Sequence, residues 1–436
     1  MLGSHSHHLP IVLKNGTLID PGANFISRQD IRIAADGLID RIGSNLEAEP
    51  GDQIYDIERC MIAPALVDLH THTRIPSPDT VETAESITAS ALAGGYTRLT
   101  AMPNTQPVMD DPELIRQIRR TYDTLPIRIQ PVGCLTIGEQ GKKPSPMAEL
   151  AEAGVCGFSD DGRWISDSGV MDSCLREAAR LALPVFSHCE DQSLSPGGMI
   201  HPSPAAVQMS LPVQPPESES LAVGRDIMLA LKNKARLHLC HLSTQQSCRL
   251  VEILADGYPS VTAETAPHYF SLTSDRITSD NGLYKVNPPL RTGHDRDAII
   301  QAIRANRITV IATDHAPHPS QRKTVDFKSS AFGFIGLETA LAVGITYLIR
   351  PGWVDWLKLI AMMSVNPAAI LNHPIAPIQP GHGPDLIVIN PDHTWIPTPE
   401  HFHSECRNSP FIGQSLIGKV KMTLVRGQLL YQDHTI

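Results

Sequence analysis

The chain has 436 residues and a formal net charge of −10, too long for one small core and the right size for a barrel of about 250 residues with an accessory domain. The acidic balance argues against a nucleic-acid or anionic-membrane surface, which requires a basic patch. Eight cysteines without a C-x-x-C pair argue against a thiolate zinc knot or a disulfide framework, and no apolar run or leader suits a membrane span or export, so reduced thiols in a cytoplasm are expected.

In chain order, the first sixty residues read as short strands with hairpin signals: Asn15-Gly16 lies within IVLKNGTLID and Asp36-Gly37 within IRIAADGLIDRIG. Eight short apolar runs follow, ALVDLHTH, RLTAMPN, IRIQPVG, VCGFSDDG, PVFSHCED, RLHLCHLS, SVTAETAPH and ITVIATDH. Spacers such as DTVETAESITASALAGG and DSGVMDSCLREAARLAL have the length and apolar spacing of helices. The last sixty residues return to strands, with DLIVI after Gly383-Pro384 and KVKMTLVRGQLLYQD around Arg426-Gly427. The fold class expected is α/β: a TIM-like (β/α)8 barrel over residues 63–373, with a small β-sandwich composed of residues 1–62 plus 374–436. Ser193 to Pro216, rich in proline and glycine, reads equally well as a flap or an interface.

The strand ends carry the chemistry. They supply His70 and His72, Asn104, Asp160 and Asp161, His188, His241, His268, then Asp314, His315 and His318, all expected at the C-terminal mouth where barrel active sites lie. Residues two apart in a strand share a face, so His70 and His72 can both project inward with Thr71 outward. The same spacing at His5/His7 and His401/His403 lacks a strand of this kind; the first pair reads as a polar head and the second as surface. Imidazole and carboxylate without thiolate suit zinc, manganese or iron. Four histidines and two aspartates exceed what one tetrahedral ion with an open position can use, and suit two ions sharing a bridging group.

The motifs HTHTR, AMPNT, GFSDDG, SHCED, CHLST, VTAETAPHY, YKVNPPLR, ATDHAPH and FGFIGLE, spread over nearly the whole chain, resemble the dihydroorotases of the bacterial type I group in the amidohydrolase superfamily. The resemblance implies two zinc ions per subunit, one on His70, His72 and Asp314 and one on His188 and His241, bridged by Asp161 rather than Asp160. Many superfamily members use a carbamylated lysine as the bridge; here no lysine occurs between Lys143 and Lys232, so a carboxylate must take that place. The implied reaction is interconversion of L-dihydroorotate and N-carbamoyl-L-aspartate, a step of pyrimidine biosynthesis, through a metal-activated water. Zinc lowers the pKa of bound water from 15.7 to about 7, and Asp314 would take its proton and deliver it to the leaving ring nitrogen.

The same resemblance assigns the substrate carboxylate to Arg74, Asn104 and His318, and the ring to Asn287 and to the backbone at Phe332 and Gly333; His72 also faces substrate. Arg74 lies two residues beyond His72 and so on its face, with a planar fork suited to a carboxylate. A homodimer is expected, with an aspartate transcarbamoylase as a candidate partner. His268 and His315 read as packed or supporting residues, and Cys189 and Cys240 are expected by parity to point away from the metals. The family's usual L-R-E-P-G is replaced by Thr73-Arg74-Ile75-Pro76-Ser77, which keeps the arginine and alters the loop. Rival readings are a hydantoinase or dihydropyrimidinase, which need no carboxylate clamp, and a non-catalytic scaffold for a transcarbamoylase, which typically lacks several of the ligands filled here.

Overall fold

The computed structural model describes residues 9–77 and 81–435; His5 and His7 lie outside them. The chain opens with β1 (Ile11–Asp20), β2 (Phe25–Ile33), β3 (Ile39–Gly43), β4 (Gln53–Asp56) and β5 (Met61–Pro64). Then come β6 (Leu66–Thr71), β7 (Tyr96–Ala101), β8 (Arg128–Pro131), β9 (Gly133–Cys134), β10 (Phe158–Ser159), β11 (Val185–Ser187), β12 (Leu237–Leu239), β13 (Val261–Thr265) and β14 (Val310–Ile311). It closes with β15 (Leu386–Trp395), β16 (Leu416–Val425) and β17 (Gln428–Gln432). Each of the eight apolar runs therefore holds a strand, with β8 and β9 interrupted only at Val132.

Strands from both ends of the chain share one sheet, in the order β17-β16-β15-β5-β1-β2-β3, with β4 pairing β1. The join is the antiparallel pairing of β15 with β5, where Leu386 faces Pro64 and Ile389 faces Met61. Asp36-Gly37 and Arg426-Gly427 lie between paired strands as expected. Asn15-Gly16 does not: β1 continues through it with a register shift between Leu13 and Gly16, and its turn falls at residues 21–24. An Asn at positive φ serves a bulge as well as a turn, and here the Asn15 N–H donates to the Asp30 carboxylate of β2 at 2.7 Å.

The middle strands are parallel. β6, β7 and β8 form one sheet, and β9 to β14 follow in chain order in a second. Beyond β14, His315 bridges Thr71 in parallel fashion and its carbonyl accepts from His72 N–H at 2.8 Å. Buried Asp68 pins the same junction, accepting from Thr71 Oγ1, from Thr313 N–H at 2.8 Å and from Thr313 Oγ1 at 2.6 Å. Every residue of β6 is buried, as a parallel strand covered on both faces requires.

The two spacers read as helical are helices. Ala84–Gly94 starts in a capping box between Thr83 and Ser86 and ends at Gly95 with φ 85°; Ser168–Arg180 is capped by the Asp167 carboxylate. Among the described residues no helix is long and apolar enough to cross a membrane. All eight cysteines are free and buried. The segment 193–216 is packed, with Ile200 and Leu211 buried in a cluster with Ile277 and Phe327.

Candidate metal centre and adjoining cavity

His70 is the penultimate residue of β6 and His72 lies just past its end, their ring centroids 5.4 Å apart, as a two-residue spacing on one face dictates. Asp161 follows β10, His188 follows β11, and His241 lies two residues past β12. The Asp161 carboxylate gathers them. Its Oδ1 is 3.2 Å from His70 Nε2 and 3.8 Å from both His188 Nδ1 and His241 Nε2, while Oδ2 is 3.4 Å from His72 Nε2. Asp314 Oδ1 stands 3.3 Å from His72 Nε2 and 3.8 Å from His70 Nε2. Asp160 points elsewhere, accepting from Thr136 N–H and Oγ1.

The outer nitrogens of three rings fix their protonation. His70 Nδ1 lies 3.0 Å from Glu264 Oε1, His72 Nδ1 lies 2.9 Å from Asn104 Oδ1, and His188 Nε2 lies 3.1 Å from Glu190 Oε2. Each partner oxygen can only accept, so each of those nitrogens donates, and in the neutral ring the other nitrogen turns a lone pair toward Asp161. A lone pair facing a carboxylate oxygen is repelled unless positive charge lies between them. His70 Nε2 and Asp161 Oδ1 are accordingly buried without a hydrogen-bond partner. Burial opposes charge on His70, yet Asp161 raises its pKa well above the usual value; Asp161 is held well below the carboxylate range by His70, His241 and His72, against its burial. The Asp161 carboxylate requires positive charge beside it, which a proton on His70 or a divalent ion held by the facing ring nitrogens supplies.

Donors about 2.0–2.1 Å from a tetrahedral zinc are separated by roughly 3.3 Å. The His70–Asp161 and His72–Asp314 separations of 3.2 and 3.3 Å match that spacing. The residues present therefore fit divalent ions, with His70, His72 and Asp314 forming one candidate group and His70, Asp161 and His241 another. His188 approaches His241 Nε2 at 3.0 Å through Nδ1.

A cavity of about 150 Å³ opens beside this cluster, lined by His72, Arg74, Asn104, Asp161, Gly162, His188, His241, Asn287, Asp314, Ala316, Phe332 and Gly333. A larger cavity of about 380 Å³ lies at the opposite ends of β6 to β8, among Arg98, Arg128 and Asp385, and touches none of these residues. Arg74 donates to the Pro317 carbonyl at 3.4 Å and its Nη2 stands 3.4 Å from His318 Nε2. His318 donates from Nε2 to the Phe332 carbonyl at 2.6 Å. Asn287 donates to Glu190 at 2.8 Å and accepts from Gln214 at 3.1 Å. Gly333 has φ 100°, and a Cβ there would lie 2.5 Å from that of Ala316, so no side chain fits.

Three cavity residues, Arg74, His241 and Asp314, have positive φ, of 57°, 35° and 50°, a sparsely populated region for side-chain-bearing residues that clusters at functional sites. The kink at His241 breaks the strand alternation and corrects one expectation. Cys240 does not point away but lies within a group with His70 and Glu264. Cys189 does point away, toward Ser187 and Asp226. His268 packs edge-on against Phe334 at 4.9 Å, and His315 Nδ1 accepts from Gly336 N–H at 3.2 Å. His401 and His403 are exposed, the latter paired to Glu338 at 2.8 Å.

Glu264, Glu190 and His238 went unread in the sequence. His238 Nε2 lies 2.9 Å from Glu264 Oε2, so one buried carboxylate ties two histidines. The available signal was a glutamate in the middle of the small-residue run VTAETAPHY, where burial of a charge requires a partner.

Residues 59–247 match the family model described as Dihydro-orotase-like. The chain is 38% identical over 427 residues to a dihydroorotase of Syntrophus aciditrophicus (strain SB), an alignment covering 98% of this chain and 100% of that protein. It is 36% identical to a dihydroorotase of Pelotomaculum thermopropionicum, with the same coverage of both chains. Among solved structures, the L-hydantoinase of Arthrobacter aurescens superposes with a TM-score of 0.83 at 24% identity, covering 98% of this chain and 96% of that one. That likeness is one of fold.

Proposed function

The chain belongs to the dihydroorotase family, and from that premise we propose that it interconverts L-dihydroorotate and N-carbamoyl-L-aspartate at the centre built around Asp161. The parallel strands are taken as a closed (β/α)8 barrel, residues 63–373, and the shared terminal sheet as a composite domain, residues 1–62 plus 374–436. The Thr71–His315 bridge and the β15–β5 pairing support that division.

His70, His72 and Asp314 would hold one divalent ion and His188 and His241 a second, with Asp161 between them. Zinc suits the imidazole and carboxylate donors and the hydrolytic chemistry. When bound, the ions polarise the amide carbonyl and acidify the attacking water. Asp314 accepts the proton as the new C–O bond forms and returns it to the ring nitrogen as the C–N bond breaks, so atoms and charge balance in both directions. Burial raises the Asp314 pKa, but the neighbouring His72, His70 and His241 outweigh it and keep the carboxylate ionised, ready to accept.

Arg74, Asn104 and His318 are assigned to the substrate carboxylate, and Asn287, Phe332 and Gly333 to the ring; all but His318 line the cavity, and His318 sits against Arg74. Asn104 also orients His72. Two copies of the chain per enzyme and association with an aspartate transcarbamoylase are parts of the reading carried by family resemblance alone, and a cytoplasmic location is carried by the cysteine usage of the sequence.

The observation that carries the reading is the Asp161 carboxylate facing four histidines from two sides. Its test is the absorbance of L-dihydroorotate during ring opening by purified protein, before and after chelation, against hydantoin and dihydrouracil. Chelator-sensitive turnover of the charged ring supports the reading; turnover of the uncharged rings alone overturns it.

A further inference from the structure

Two lysines behind the cavity take no part in the chemistry above. Lys285 and Lys323 are 2% and 5% exposed, and among the described residues no carboxylate forms an ion pair with either. A buried ammonium without a carboxylate is costly and needs its hydrogens satisfied. Backbone carbonyls satisfy these. Lys285 Nζ donates to Lys328 O at 2.9 Å and Ser330 O at 2.8 Å; Lys323 Nζ donates to Ala331 O at 2.9 Å and to Lys285 O at 3.0 Å. Burial pushes both ammonium pKa values down, to about 8 for Lys285 against the opposing pull of Asp326, and to about 7 for Lys323, where the neighbouring Lys285 lowers it further.

The acceptors are not scattered. Three belong to residues 328–331, which run directly into Phe332 and Gly333 at the cavity edge. The fourth, the Lys285 carbonyl, also accepts from Gly333 N–H at 2.9 Å. Two residues after Lys285 comes Asn287, on another wall of the same cavity. Lys285 Nζ further lies 4.5 Å from the centroid of the Phe332 ring, within the range of a cation–π contact. A surface loop of this length would ordinarily present its carbonyls to water and open readily. Here two cations turn them inward and tie two cavity walls together.

We propose that Lys285 and Lys323 are positioning residues that clamp the 328–333 loop to the segment bearing Asn287, so that the cavity edge is formed before substrate arrives. The effect on turnover rests on the reading of this cavity as the substrate site; the effect on the loop does not.

The test uses the full-length, metal-loaded protein and its Lys323→Met and Lys285→Met variants, which keep the side-chain bulk and remove the donors. KM for L-dihydroorotate should rise about tenfold while kcat changes by less than about threefold, with metal content unchanged. Hydrogen exchange of amides in 328–333 should accelerate by about tenfold or more while β6 and β12 keep their protection. Parental KM and parental exchange in Lys323→Met would overturn the clamp. Should both variants fail to fold, the unaltered protein decides: slow exchange in 328–333 without ligand is expected, and exchange as fast as an open loop would overturn it. Loosened exchange in the variants, with no turnover by any form including the parent, would sink the functional reading and leave the clamp standing.

Discussion

His70 and Glu264 meet at 3.0 Å across the interior, Nδ1 to Oε1, and the second oxygen of Glu264 reaches His238 at 2.9 Å. The carboxylate fixes which nitrogen of His70 keeps its hydrogen and thereby turns Nε2 toward Asp161. His238 holds the carboxylate in turn and passes the chain to Thr262 at 2.8 Å. Burial alone would raise the Glu264 pKa, but hydrogen bonds from His238 and His70 pull it down to about 2, so the acceptor stays ionised through the working pH range.

Replacing Glu264 with Gln removes the charge and keeps the shape. Metal affinity should fall by about 10–100-fold, as for other outer partners of ligating histidines. Metal content after dialysis against graded chelator, with circular dichroism to report the fold, checks this; parental retention would show that His70 needs no such support.

Arg74→Met should raise KM for L-dihydroorotate by about 10–100-fold, the worth of one charged hydrogen-bonding partner, with metal content unchanged. Rates on uncharged cyclic amides should barely move. Equal losses on charged and uncharged rings would mean that Arg74 holds the loop and does not read a carboxylate.

Glu139, 4% exposed, predicts a pH signature in stability. Burial, reinforced by Asp160 and Asp161, pushes its carboxyl up to about 8. A raised folded-state pKa means that the native chain holds a proton which the unfolded chain, titrating near 4.3, has released. The associated stability is complete below that lower value and is lost as pH rises toward 8, at up to ~1.4 kcal/mol per pH unit. Glu139→Gln does not titrate. Its melting temperature minus that of the parent should widen from pH 5 to 8 and then level off; two parallel curves would contradict the assignment.

Much of the site was legible because barrel strands repeat one arrangement. Alternation with period two put His70 and His72 on one face, and reading the ends of the apolar runs collected Asp160 with Asp161, His188, His241 and Asp314; the family resemblance chose Asp161 over Asp160. What escaped was whatever alternation does not govern. The positive φ at His241 resets the parity that Cys240 was expected to follow. Asn15-Gly16 looks the same whether it closes a hairpin or bulges a strand; the Asp30 carboxylate that receives the Asn15 N–H decides, and it is distant in sequence. Lys285 and Lys323 drew no reading at all, because a lysine satisfied by carbonyls is invisible until the loop that supplies them is folded.

The central claim is that Asp161 joins two cation positions, and metal analysis of Asp161→Ala beside the parent tests it most directly. The parent should carry about two equivalents per chain. The variant should lose at least one of them, together with nearly all ring-opening activity, while remaining folded by circular dichroism. A folded variant that retains both equivalents would contradict the account.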